Sequence, residues 1–301
     1  LFSLLAVLPM VVLVRRFPGE SLADISLQTA GPFVGPLLTL AVSFWLLAVS
    51  VVSLRNFTDT FINTILPQTP PSVLIVTATA AAVFSSYRGA EAIARTAYVL
   101  LPLIAAGVLS VLVFSLPRMD LTLLFPLWGF GFRQTLVGSL YLTSVAGEAV
   151  ALLAIGNVFR TARCLQHSAL QGILLFGVAA TLTVTVLVAT AGPPVAREDP
   201  FPVYYLARLI YLGRFLQRTE SLIVLFWMFA AGTRFTALFH AGVATLAGAL
   251  RLPEYRPLLF PCAVLVSALS LLPQDYVTLI RLDRLVIRPM GFGGLAVPLL
   301  L

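Results

Sequence analysis

Long apolar runs, cut by short clusters of proline, glycine, arginine and acid, set the pattern of this chain. Residues 36–62, 96–116, 135–158, 168–191 and 220–247 are apolar over lengths that suit a bilayer core of roughly 30 Å at about 1.5 Å per helical residue. Shorter runs at 72–86, 258–272 and 285–301 read as three further spans. The opening run, 1–14, covers only about 21 Å on the same arithmetic. With no initiator methionine and no cleavage site after it, it predicts a fragment that begins partway through a membrane helix. Nine membrane helices are therefore expected, the Glu148 stretch (135–158) being the fifth.

The connections are as readable as the spans. Residues 66–71 (Leu-Pro-Gln-Thr-Pro-Pro) form a loop and 251–257 a tight link. The Pro-Gly break at 18–19 leads to a short helix or re-entrant connector that runs to Gly35. Residues 117–134 mix Pro, Gly and Trp with apolar positions, which suits a segment lying at the membrane interface. The long polar stretch 192–217 holds an amphipathic helix, with Tyr205, Leu209 and Leu212 on one side and Arg208 and Arg214 off it.

Composition turns this pattern into a class. The chain has 301 residues, 59% hydrophobic and 10% charged, with a mean hydropathy of +1.01. Soluble domains carry about 25% charged residues, so an all-α polytopic membrane protein is expected. A membrane β-barrel would alternate apolar and polar positions, and these runs do not. The formal charge of +7 comes wholly from arginine, since all 19 basic residues are Arg. They are spread among loops, which points to lipid headgroups and not to nucleic acid.

Alternate threading places Arg15, Arg16, Arg88, Arg95, Arg160, Arg163, Arg251 and Arg256 on one side. These sit in short links, where the positive-inside rule counts most, and that side is expected to be cytoplasmic. Cys164 and Cys262 have no C-x-x-C spacing and the two histidines form no motif, so no metal site, disulfide or cofactor is expected. No nucleotide loop or acid–base constellation stands out either, and an enzyme is not expected.

Candidate chemistry concentrates in one stretch. Glu148 lies near the middle of an apolar helix, directly after Ala146 and Gly147, with Thr143 and Ser144 a few residues earlier. A carboxylate at bilayer depth costs roughly 2.5–3.5 kcal/mol on insertion scales, so it needs a partner, a proton or a wet cavity. Small and hydroxyl residues beside it allow the helix to unwind or something to approach its backbone. The reading is a discontinuous helix lining a small-molecule site. Arg234 is also at membrane depth; it can neutralise Glu148, bind a substrate carboxylate or snorkel to an interface. Thr233 beside it is either a site hydroxyl or bonded to its own helix backbone. His240 reads as a buried hydrogen-bonding residue, Ala244 and Gly248 as a packing stripe, and Arg55–Asp59 as an i,i+4 pair.

Five segments then recur in a recognisable order: residues 17–22 (Phe-Pro-Gly-Glu-Ser-Leu), 87–95 (Tyr-Arg-Gly-Ala-Glu-Ala-Ile-Ala-Arg), Gly147-Glu148, 201–218 and 255–257 (Tyr-Arg-Pro). Together they resemble the spore germination permease family, the B subunits of germinant receptors, within the amino acid–polyamine–organocation transporter superfamily. The resemblance implies ten membrane helices in two inverted repeats of five, with the first and sixth broken at the substrate site. Residue 1 then falls in the second helix, residues 1–134 are the remainder of the first repeat and 135–301 the second, within one membrane domain. It also implies a ligand pocket at Thr143, Ser144, Ala146, Gly147 and Glu148, with Phe44 and Leu47 closing an apolar wall.

The implied function is a membrane subunit in a spore's inner membrane or the cell membrane. It would bind a small germinant, an amino acid being the expectation, and work with a second membrane subunit and a lipoprotein. The alternative is a proton- or sodium-coupled amino-acid permease.

Overall fold

The computed structural model describes residues 2–126, 129, 131–159, 161–198, 202–209 and 219–301. Among them the secondary structure is helical throughout. The main helices are α1 (Phe2–Arg16), α2 (Leu22–Thr64), α3 (Pro71–Arg88), α4 (Ala90–Ser115) and α5 (Phe132–Leu142). They continue with α6 (Val150–Ala154), α7 (Ala162–Glu198), α8 (Pro202–Leu209), α9 (Thr219–Ala249), α10 (Arg256–Ser270), α11 (Tyr276–Leu282) and α12 (Arg288–Leu300). A 3₁₀ run, Thr143–Ala149, joins α5 to α6, and a π-helical turn, Asp283–Ile287, joins α11 to α12. Five of these segments are long and apolar enough to cross a membrane, and α10 is a shorter apolar helix. The chain is an all-α integral membrane protein.

Helix ends follow local chemistry. Ser21 and Asp24 form a reciprocal capping box that starts α2. Gly31 then takes φ 82°, ψ 179°, a conformation that costs a glycine little, and Pro32 follows it. The break separates a short helix from the long membrane part, so the connector expected up to Gly35 is a helix that ends at Ala30. Across the kink, the hydroxyls of Ser26 and Thr39 meet at 2.6 Å and tie the two parts together. Gly192 (φ 82°) followed by Pro193 and Pro194 kinks α7 in the same way.

Other boundaries shift for similar reasons. The last span begins at Tyr276, not at 285, because Asp275 caps α11 by accepting from the Thr278 amide. In the polar connection, α8 buries Leu206 and Ala207 while Arg208 is exposed. Leu212 and Arg214, expected on the same amphipathic helix, lie outside the described residues.

Lipid is as apolar as leucine, so helix association in a membrane rests on close packing and buried polar contacts more than on hydrophobic burial. The centre of the bundle is the pair α2–α9, which make the most extensive contact in the molecule. Ser43 donates to the Gly242 carbonyl at 2.9 Å, and a Cβ on Gly242 would come within 3.0 Å of the Leu47 side chain. Gly248 meets Ala23 nearby, as the Ala244–Gly248 stripe anticipated.

Arg55 and Asp59 form the expected ion pair at 2.9 Å, both 7% exposed. Arg55 also donates Nη1 to the Ser270 carbonyl at the end of α10 (3.3 Å), where a cation meets the negative end of the helix dipole. The outer helices carry the lipid-facing surface: only 22% of the apolar window of α4 and 17% of that of α7 is buried.

Candidate ligand site

The 3₁₀ run explains how one short segment serves three neighbours. With three residues per turn, positions i and i+3 lie on one line. Ser144 and Gly147 form one line, and it packs against α12. A Cβ on Gly147 would collide with the Gly291 carbonyl oxygen, and one on Gly291 would sit 2.5 Å from the Ser144 carbonyl oxygen. Thr143 and Ala146 form a second, buried line. Val145 and Glu148 form the third, half-buried line, and it turns Glu148 towards α9. The discontinuity expected here is thus a tightening of the helix and not an unwinding. Runs of 3₁₀ beyond three or four residues are uncommon, and a mid-helix one often marks a hinge.

The structure brings Glu148 and Arg234 together, 86 positions apart in the chain. Arg234 donates Nε to Oε2 (3.1 Å) and Nη2 to Oε1 (2.6 Å), a bidentate fork. Its Nη1 donates to Ser53 Oγ at 2.6 Å. Three elements therefore meet at one guanidinium: the 3₁₀ run, α9 and α2. The Glu148 side chain is 21% exposed and that of Arg234 44%, so one side of the guanidinium stays open.

The other expected site residues are placed differently. Leu47 packs into the α2–α9 core with Phe235, Phe239 and Val243, and Phe44 is 53% exposed on α2. From α2, Trp45, Leu46 and Val49, one or two positions along, share the buried cluster that contains Ala146, because the helix turns Leu47 towards α9. Thr233 donates to the Phe229 carbonyl of its own helix at 2.6 Å and borders a separate apolar cavity of about 280 Å³ with Phe57 and Ala78. The close approach that Gly147 permits is that of α12, and the Ser144 hydroxyl is buried without a partner.

Sequence reasoning missed the α12 side of this region. Trp45 Nε1 donates to the Ile287 carbonyl at 3.4 Å, and the Tyr141 hydroxyl donates to the Arg284 carbonyl. Both carbonyls belong to the π turn, whose widened backbone bends away from regular hydrogen bonding. Across the same turn Arg288 Nε meets Asp283 Oδ2 at 2.9 Å. Five positions apart, these two lie on different faces of a regular helix, so nothing in the spacing flagged them. The usable signal was Gly291-Phe-Gly-Gly294, two glycines three apart, where a Cβ on Gly294 would come within 2.8 Å of the Trp45 ring.

Two cavities, the smaller of them mostly polar, lie at successive positions along α2 and α9. One, about 210 Å³, is bordered by Ser53, Asn56, Arg234, Asp283 and Arg288. The other, about 810 Å³, is bordered by Asp24, Thr39, Glu91, Asn157, His240 and Tyr255. Thr39 and Val49, which border one cavity each, stand about 15 Å apart along the helix. His240 is buried with its ring edge-on to Tyr255 at 5.1 Å, and its Nδ1 lacks a partner.

Known proteins place this architecture. Residues 1–276 match the spore permease family, whose members are described as spore germination proteins. Spore germination protein XB of Bacillus anthracis is 27% identical over 223 residues, 73% of this chain and 62% of that protein. The chain thus aligns with about three fifths of that relative's length. Since the family match runs through every helix from α1 to α10, this chain belongs to the spore permease family of germination proteins.

Proposed function

We propose that the protein is the ligand-sensing membrane subunit of a spore germinant receptor, seated in the spore's inner membrane or the cell membrane. It binds a small germinant, an amino acid, within the helix bundle and passes the resulting shift to two partners, a second membrane subunit and a lipoprotein. The observation that supports this most is the Glu148–Arg234–Ser53 centre. Charged groups at membrane depth mark ligand or ion sites by default, and this one joins a 3₁₀ hinge to the central helix pair. A ligand that engages Arg234 changes what holds Glu148, and so biases the hinge between states.

The two-repeat organisation, 1–134 and 135–301, belongs to the same proposal. The order α1–α2–α3–α4 parallels α7–α9–α10–α12. Leu-Pro-x-x-x-Pro stands both at 66–71 before α3 and at 252–257 before α10. The two cavities that lie at successive levels of α2 and α9 favour one alternative, a proton- or sodium-coupled amino-acid permease with alternating access.

The test uses the full-length protein. Spores that carry Glu148→Gln or Arg234→Gln should lose germination with an amino-acid germinant while the protein is retained in the membrane. Purified protein in vesicles should bind radiolabelled amino acid without accumulating it. Gradient-driven accumulation would transfer the assignment to the permease, and normal germination of both variants would remove the centre from the mechanism.

A further inference from the structure

The small cavity beside Arg234 has a balanced charge pattern. Two ion pairs adjoin it: Glu148–Arg234, of which Arg234 borders the cavity, and Asp283–Arg288, of which both residues do. The four groups sum to zero. Arg234 uses three of its five donor hydrogens on Glu148 and Ser53. Arg288 engages Asp283 through Nε alone, which leaves its two terminal amino groups for another acceptor. The Asp283 and Arg288 side chains are 28% and 29% exposed, so neither is sealed off. A cavity of about 210 Å³ has room for several waters or one small organic molecule.

We propose that this cavity is a receiving site for a zwitterionic α-amino acid, with the Asp283–Arg288 pair as its reader. The inference rests on the ligand-sensing role proposed above and gives it a location distinct from the Thr143–Glu148 backbone. The ligand's carboxylate takes the terminal amino groups of Arg288, with the open side of Arg234 beside it. Its ammonium takes Asp283. An α-amino acid carries its two charges on neighbouring atoms, so it lies alongside an existing ion pair and leaves each charge with one more partner of opposite sign. A lone anion or cation would upset the charge balance of the four groups and leave net charge in a half-buried site, which is costly. Discrimination thus falls on both ends of the ligand at once.

The π turn gives the reader its link to the bundle. Asp283 and Arg288 face each other only because the turn between them is widened. Trp45 of α2 and Tyr141 of α5 hold two carbonyls of that turn. A ligand that draws on the pair acts on a backbone already fastened to the Glu148 helix.

The experiment is binding to purified full-length protein in detergent, read by calorimetry and by the shift in melting temperature. The probes are L-alanine and glycine as zwitterions, L-alaninamide as a cation and N-acetyl-L-alanine as an anion. The expected result is saturable binding of a zwitterion and none of the single-charge analogues. Asp283→Asn and Arg288→Gln should each weaken that binding roughly ten- to a hundredfold, the range of one charged hydrogen bond. Ile280→Trp should abolish it by filling the cavity with no charge touched, which covers the case in which a charge variant misfolds.

Binding lost in Glu148→Gln or Arg234→Gln but intact in Asp283→Asn, Arg288→Gln and Ile280→Trp overturns this site and leaves the sensing role standing. Preference for the amide or the acetylated probe, or no binding of any probe to the wild-type protein, overturns the zwitterion site outright.

Discussion

Gly147 and Gly291 face each other backbone to backbone, with no room for a side chain on either. This contact sets the distance between the Glu148 helix and α12, while the neighbouring line of the same 3₁₀ run turns Glu148 to Arg234 of α9. Gly147→Ala or Gly291→Ala should force the helices apart and cost about 1–3 kcal/mol, the range of overpacking. Gly293→Ala is the control, because a Cβ there meets nothing within 4 Å. Melting of the detergent-solubilised protein checks this; equal melting temperatures for all three variants would show that the contact carries no strain.

The Glu148–Arg234 pair should show coupling. A double-mutant cycle with Glu148→Gln and Arg234→Gln should give about 1–3 kcal/mol, less than a fully buried pair because 44% of the Arg234 side chain is exposed. Ser53→Ala should cost less than either, since it removes one neutral partner. Additive single effects would mean that the two charges do not depend on each other.

Arg55 and Asp59 are buried more deeply, and the penalty for breaking them should be larger. Asp59→Asn leaves a buried guanidinium without its counter-charge, at a cost of about 3–5 kcal/mol. Replacing both by Met and Leu should recover most of that, less the tie from Arg55 to the Ser270 carbonyl. Stability of the single and double variants, measured side by side, decides the point.

Acid should loosen the start of α11. Accepting bonds from the side chain and the amide of Thr278 hold the Asp275 carboxyl below its usual value of 3.8. A carboxylate depressed in the folded state stabilises it above the unfolded value and loses that contribution as pH falls through the folded one. Exchange protection of the Thr278 amide should therefore persist at pH 5 and fall away below the usual carboxylate range, while Asp275→Ala should lack it throughout. Asp120, held low by Thr122 in the same way, should behave alike.

Much of this was legible along the chain because a bilayer imposes a local rule. Each apolar run must be a helix, since no water is available for its backbone groups. The spans, the 66–71 loop and the Arg55–Asp59 pair follow from that rule and from i,i+4 spacing. The Glu148–Arg234 pair could be suspected because two opposite charges at membrane depth seek each other. The wall residues were not legible: a rotation of about 100° per residue decides whether Trp45 or Leu47 faces the Glu148 helix, and continuously apolar sequence carries no phase.

The sequence by itself determined that this is an all-helical membrane protein with an acid and an arginine at bilayer depth, because hydropathy and charge are properties of single residues and short windows. Only the tertiary structure decided that Gly147 admits α12, that Thr233 turns to its own helix, and that a π turn brings Asp283 and Arg288 together beside Arg234. Those outcomes depend on helix phase and on backbone geometry imposed by neighbours far along the chain.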